Sequence, residues 1–158
     1  MGLLTGRAPA LTGDVYFDGL GAPRILYSAF TPAAFSVDYT GLKRELPFKE
    51  ADAHKGQSGH VLVVGGDLGM GGAAIMTAES AAYSGSGIVS LATQPDHVMP
   101  ALVRKPEIMT KGVDSGGQLA PMLDGASVIA AGPGLGRGSW SEQLLQQVLK
   151  TNKPLVLD

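Results

Sequence analysis

Two glycine-rich segments hold the residue types best suited to binding chemistry. They are Gly65-Gly66-Asp67-Leu68-Gly69-Met70-Gly71-Gly72 and Gly132-Pro133-Gly134-Leu135-Gly136-Arg137-Gly138. Each follows a short apolar run and precedes a stretch with helical spacing. A glycine loop between a strand and a helix start offers free backbone N–H groups and the positive end of the helix dipole. That suits a phosphate or another anion. The first segment is not a P-loop, because no Gly-Lys-Ser/Thr follows. It is not a G-x-G-x-x-G fingerprint either, since its glycines fall at 65, 66, 69, 71 and 72. A plainer reading stands beside the functional one: tight turns in which missing Cβ atoms permit close helix–sheet packing. In the second segment Pro133 stiffens the loop, and Arg137 is either a phosphate contact or a solvated charge. The loop positions offered to a ligand are Gly65, Gly66, Gly71, Gly72, Gly132, Gly134 and Gly136.

Other chemistry-bearing residues are sparser. His54-Lys55-Gly56-Gln57-Ser58-Gly59-His60 places two histidines six apart, yet no carboxylates cluster with them and the segment leads into a strand. It reads as a structured turn rather than a metal site, with Lys55 free to reach an anion. Asp158 ends a strand, where a carboxylate can hold a substrate hydroxyl or a metal. Asp67 reads as a turn residue bonding its own backbone. His97 reads as a solvent-facing helix residue. No Ser/His/Asp triad assembles, and no G-x-S-x-G is present.

The elements that must position these residues alternate regularly from His54 onward. Strands are expected at Val61–Val64, Ile88–Thr93, Ser127–Ala131 and Pro154–Leu157. Helices are expected over Ala73–Tyr83, Asp96–Leu102 and Ser141–Lys150, the last capped by Ser139 or Ser141. Apolar runs without polar alternation indicate a parallel α/β sheet covered on both faces, which brings both glycine loops to one edge. Before His54 the pattern is patchy, with a short strand near Val15–Phe17 and a helix over Asp38–Leu46 stopped by Pro47. The chain has 158 residues, room for about one domain. Hydrophobic residues make up 44%, and 12 basic against 14 acidic residues give a net charge of −2, which excludes nucleic-acid binding by bulk positive charge. Cysteine is absent, which excludes disulfides and thiolate chemistry. No apolar run approaches the roughly 18 residues of a membrane span, and no secretory signal is evident, so a cytoplasmic location is expected.

Taken in order, the residues resemble a known family, the ADP- or ATP-dependent NAD(P)H-hydrate dehydratases of ribokinase-like fold. The matching elements are His54-Lys55-Gly56-x-x-Gly59, Val61–Gly66, Gly72-Ala73-Ala74 and Gly85-x-Gly87. They continue with Pro106-Glu107-Ile108-Met109, Gly132-Pro133-Gly134-Leu135-Gly136 and the strand end at Leu157-Asp158. The resemblance implies a ribokinase-like parallel sheet flanked by helices, with its C-terminal half missing. It further implies that residues 1–30 look like the tail of an NAD(P)H-hydrate epimerase domain. Residues 31–53 would be a linker and first helix, with the junction near 30–37, and residues 54–158 the first half of the dehydratase. The implied ligands are NADH or NADPH hydrate as substrate, ADP or ATP as phosphoryl donor, and Mg²⁺. The implied substrate contacts are Gly72 or Ala73, and Gly134. The family's nucleotide loop and catalytic aspartate match nothing here, so these residues alone are expected to have neither activity. A homo-oligomer is expected, with no nucleic acid and no membrane partner. Two other readings stay open: a ribokinase-like small-molecule kinase, and a nucleotide-binding module without catalysis.

Overall fold

The computed structural model describes residues 2–32, 36–45 and 53–158. Two compact units divide the chain, Met1–Lys49 and Glu50–Asp158. Among its described residues the first holds three short α-helices, α1 (Pro9–Thr12), α2 (Arg24–Ser28) and α3 (Tyr39–Glu45), none with a buried residue. Asp38 starts α3 by accepting the Gly41 amide at 2.7 Å on its carboxylate. Leu46 and Pro47, expected to end that helix, lie outside the described residues, as do residues 33–35 within the expected junction. Val15–Phe17 does not form the expected strand. Tyr16 and Phe17 are exposed, and no neighbouring strand among the described residues supplies the ladder such a segment needs.

The second unit carries the sheet. Its elements are β1 (His60–Val64), α4 (Gly71–Tyr83), β2 (Ile88–Thr93), α5 (Val98–Arg104), β3 (Met109–Gly112), α6 (Gly116–Gly125), β4 (Val128–Ala131), α7 (Ser139–Leu149) and β5 (Leu155–Leu157). All four strand pairings are parallel, in the order β3-β2-β1-β4-β5. The central strand reads His-Val-Leu-Val-Val and buries Leu62, Val63 and Val64 completely. Its side chains alternate between faces. Leu62 and Val64 join Leu119 and Leu123 of α6 with Leu144 and Val148 of α7. Val63 joins Ala74, Ile75 and Ala78 of α4 with Ala101 of α5. Helices therefore cover both faces, as continuous apolar strands require. The chain leaves β1 toward β2 on one side and leaves β4 toward β5 on the other. The point where the strand order reverses lies between β1 and β4, where open α/β sheets form their ligand crevice.

The expected four strands are all present, and a fifth is β3 with its following helix α6. β3 is an edge strand, Met-Thr-Lys-Gly, half exposed and lacking the apolar run of its neighbours. α6 contains Pro121 and begins with two glycines, so local propensity argues against it, and burial of Leu119 and Leu123 makes up the deficit. α5 starts at Val98 rather than Asp96, because Pro95–His97 forms a separate 3₁₀ turn. α7 begins after Gly138 with no side-chain cap; Ser141 is buried and its hydroxyl donates to the Leu135 carbonyl.

Arg104 ties α5 to α4 through two bonds to Glu79, at 2.6 and 2.9 Å. The Arg104 hydrogen bond holds the Glu79 carboxyl below the usual glutamate value of 4.5. A depressed carboxyl adds stability above its unfolded value and loses it as the pH falls through the native one. Thermal unfolding should therefore show the parent losing more stability than Glu79→Gln on acidification below 4.5, with the two converging in strong acid.

Candidate functional site at the β1 and β4 carboxyl ends

The loop after β1 and the loop after β4 interlock through their backbones. Gly66 N–H donates to Pro133 O at 3.0 Å, and Asp67 N–H donates to Gly134 O at 2.7 Å. Such an approach leaves no room for side chains. A Cβ on Gly65 would run into the Pro133 carbonyl, and one on Gly134 into the Met70 carbonyl. Gly134 also has φ +60, a left-handed conformation that glycine adopts without strain. Gly136 packs against the Asp67 carboxylate, and Gly132 against the Asp158 backbone. Asp67 behaves as the sequence suggests, accepting the Leu68 amide at 2.9 Å on its own carboxylate.

The open part of the site is the head of α4. The first amides of a helix have no partner within it, and Met70 at the N-cap supplies no side-chain bond. The amides of Gly71, Gly72 and Ala73 therefore have no partner within the helix, and the helix dipole lies behind them. Nothing lies within 4 Å of where a Gly72 Cβ would be, and Gly72 and Ala73 are exposed. Beside them runs a groove of about 470 Å³ lined by Ala73, Met76, Thr77, Pro133, Val156 and Asp158, among others. This surface can hold an anionic group on backbone donors, with an apolar wall next to it.

Of the residues singled out in the sequence, Gly65, Gly66, Gly71, Gly72, Ala73, Gly132, Gly134, Gly136 and Asp158 all come to this one edge. Lys55 does not. It sits in a 3₁₀ turn, Lys55–Ser58, whose backbone abuts Gly87 just before β2, at the amino ends of the strands. Arg137 is exposed in the β4 loop, beside a separate cavity of about 320 Å³. His60 has both ring nitrogens engaged, Nδ1 with Gly125 O at 3.0 Å and Nε2 with Ser90 Oγ at 2.8 Å. His97 is not solvent-facing. Its Nε2 lies 3.1 Å from Asp67 O, and its ring fills the space beside Gly71. Sequence reasoning also missed Thr93, whose buried hydroxyl donates to Gly66 O at 3.0 Å, and Gln94, whose amide donates to Asp67 Oδ1 at 3.1 Å. The only sequence signal for these three was their place at the carboxyl end of a strand or just after it.

A parallel sheet with helices on both faces, whose strand order reverses between β1 and β4, defines a doubly wound α/β fold. The family model described as NAD(P)H-hydrate dehydratase matches residues 61–158. The chain belongs to that family. It is 44% identical over 157 residues to the bifunctional NAD(P)H-hydrate repair enzyme of Coxiella burnetii, covering 99% of this chain and 32% of that protein. It is 40% identical over 120 residues to the ADP-dependent (S)-NAD(P)H-hydrate dehydratase of Lactiplantibacillus plantarum, covering 74% of this chain and 43% of that protein. The crystal structure of the ADP/ATP-dependent NAD(P)H-hydrate dehydratase of Bacillus subtilis, co-crystallized with ATP/Mg²⁺, superposes with a TM-score of 0.63 at 30% identity. That match covers 72% of this chain and 41% of that one. The chain spans about a third of the length of the bifunctional relatives it matches. The expected ribokinase-like fold agrees with these neighbours.

Proposed function

We propose that this chain is the substrate-side part of an NAD(P)H-hydrate dehydratase that uses ADP or ATP. Residues 1–30 would belong to a fused epimerase domain that interconverts the R and S hydrates, residues 31–53 would be a linker and first helix, and residues 54–158 the start of the dehydratase. The observation that carries the reading is the uncapped head of α4, open at Gly72, beside the interlocked β4 loop at the sheet's switch point. On this reading the amides of Gly71, Gly72 and Ala73 bind a phosphate of the hydrate. Gly134 sets the height of the neighbouring loop, and the groove at Pro133 and Asp158 takes an adjoining part of the substrate. These donors fit a phosphate, because backbone N–H groups at a helix start complement negative charge. The nucleotide supplies a phosphoryl group that turns the hydrate's hydroxyl into a phosphate leaving group; the residues named here orient the hydrate for that step.

The described residues supply no ready-made cage for Mg²⁺, an ion usually held by one or two carboxylates together with substrate phosphates. Among the described residues no three His, Cys, Asp or Glu side chains group to hold a metal ion. Asp67 is already engaged by Leu68 and Gln94.

The test is to give the complete gene product NADH hydrate and ADP. The expected result is return of the dihydropyridine absorbance, with AMP and phosphate released. The purified 158-residue chain alone is expected to give no turnover under the same conditions. Phosphorylation of a small alcohol without dihydropyridine recovery would establish a kinase instead. Nucleotide binding without any turnover would establish a binding module. A homo-oligomer and a cytoplasmic location complete the reading, to be checked by sedimentation and by fractionation. No helix among the described residues is long and apolar enough to cross a membrane.

A further inference from the structure

The carboxyl end of β2 braces the site from behind, and the functional reading above gives its side chains no part. His97 touches both ends of the first glycine loop. Its Nε2 lies 3.1 Å from Asp67 O, and because a carbonyl only accepts, Nε2 carries the hydrogen. Its ring is packed so closely on Gly71 that a Cβ there would lie 2.5 Å from Cγ. Gly71 is the first residue of α4, and its amide heads the open set. Asp67 is the residue whose N–H grips Gly134 in the β4 loop. One imidazole thus fixes the start of the helix relative to the loop that precedes it.

We propose that His97 is a positioning residue for the phosphate site at the head of α4, an inference that rests on the functional reading above. The ring fills the space beside Gly71, and it is the Nε2–H, by pinning the Asp67 carbonyl, that sets where the amides of Gly71, Gly72 and Ala73 point. His97 does not touch the substrate. Its effect passes through amides that hold a group remote from the reacting ring. Such contacts act equally on ground and transition states, so their loss appears in KM rather than kcat.

The experiment uses the complete gene product with NADH hydrate as the varied substrate and ADP saturating. His97→Ala is expected to raise KM about tenfold with kcat within about twofold, the effect of weakening one charge-assisted contact. His97→Gln carries an amide N–H at similar reach and is expected to bring KM back to within about threefold of the parent. His97→Phe keeps the ring's bulk without the donor and should resemble His97→Ala. If His97→Ala fails to fold, the Gln and Phe variants alone decide. Phe restoring KM as well as Gln would show a filler and overturn the proposal. So would KM unchanged in every folded variant, or kcat falling with KM constant. A parent protein that turns over no hydrate overturns the functional reading, and this inference with it; parent turnover with insensitive variants overturns this inference alone.

Discussion

Gly72→Leu is expected to fold at least as well as the parent and to lose on the order of 100-fold in kcat/KM for NADH hydrate. The first half follows from open space. Nothing lies within 4 Å of the added Cβ, and Gly72 is a helical residue of α4. Leucine there favours the helix over glycine by roughly 0.5–1 kcal/mol, so the unfolding midpoint should rise by about 1–3 °C. The second half follows from direction. A helical Cβ tilts toward the amino end, so the new side chain lies across the approach to the amides of Gly71, Gly72 and Ala73. Each bond from such an amide to a phosphate contributes about 1.5–3 kcal/mol, and losing two at the lower of these figures gives the stated factor. Steady-state kinetics and thermal unfolding on the complete gene product check both halves. Parent-like kinetics would place the substrate elsewhere, and a lowered midpoint would show that the space over Gly72 is filled.

The parts of this fold that the sequence discloses are those where local pattern and burial agree. Val61–Val64 and Ile88–Thr93 are apolar because both faces of the sheet are covered, and their positions follow from composition alone. β3 and α6 escape because packing overrides propensity there. An exposed edge strand has no reason to be apolar, and a helix with Pro121 forms only because Leu119 and Leu123 have a core to enter. The site shows the same division. Its location was legible, since two glycine loops after parallel strands must share an edge. What the glycines do there was not. Gly65, Gly134 and Gly136 serve loop-to-loop contact and Gly132 packs on Asp158, whereas Gly72, like Gly69, faces open space. A glycine needed for backbone approach and one needed for ligand access are identical letters; only what stands opposite separates them. His97 was misread for a related reason. Its partners are Asp67 and Gly71, about thirty residues back in the chain, and no periodicity within its own segment reports a contact at that distance.

Gly134→Ala provides the opposite case, in which activity should fall together with stability. At φ +60 an L-residue is strained by about 1–2 kcal/mol. The added Cβ also meets the Met70 carbonyl and lies 3.1 Å from the Met70 Cβ. That obstacle is backbone at the head of α4, so it cannot swing away as a flexible side chain would. Relief requires the two loops to separate, which breaks the bonds from Gly66 N–H to Pro133 O and from Asp67 N–H to Gly134 O. At about 1 kcal/mol for each of these bonds, the total destabilisation is about 3–4 kcal/mol, a shift of roughly 10 °C in the unfolding midpoint. Shortening the side chain in Met70→Ala should not rescue the variant, because the carbonyl remains in place. Urea titration of the single and double variants gives the comparison. A Gly134→Ala protein with the parent's midpoint would mean that the loops stand apart. The head of α4 would then lack the fixed neighbour that the anion site requires, and the Gly72→Leu result would need another explanation.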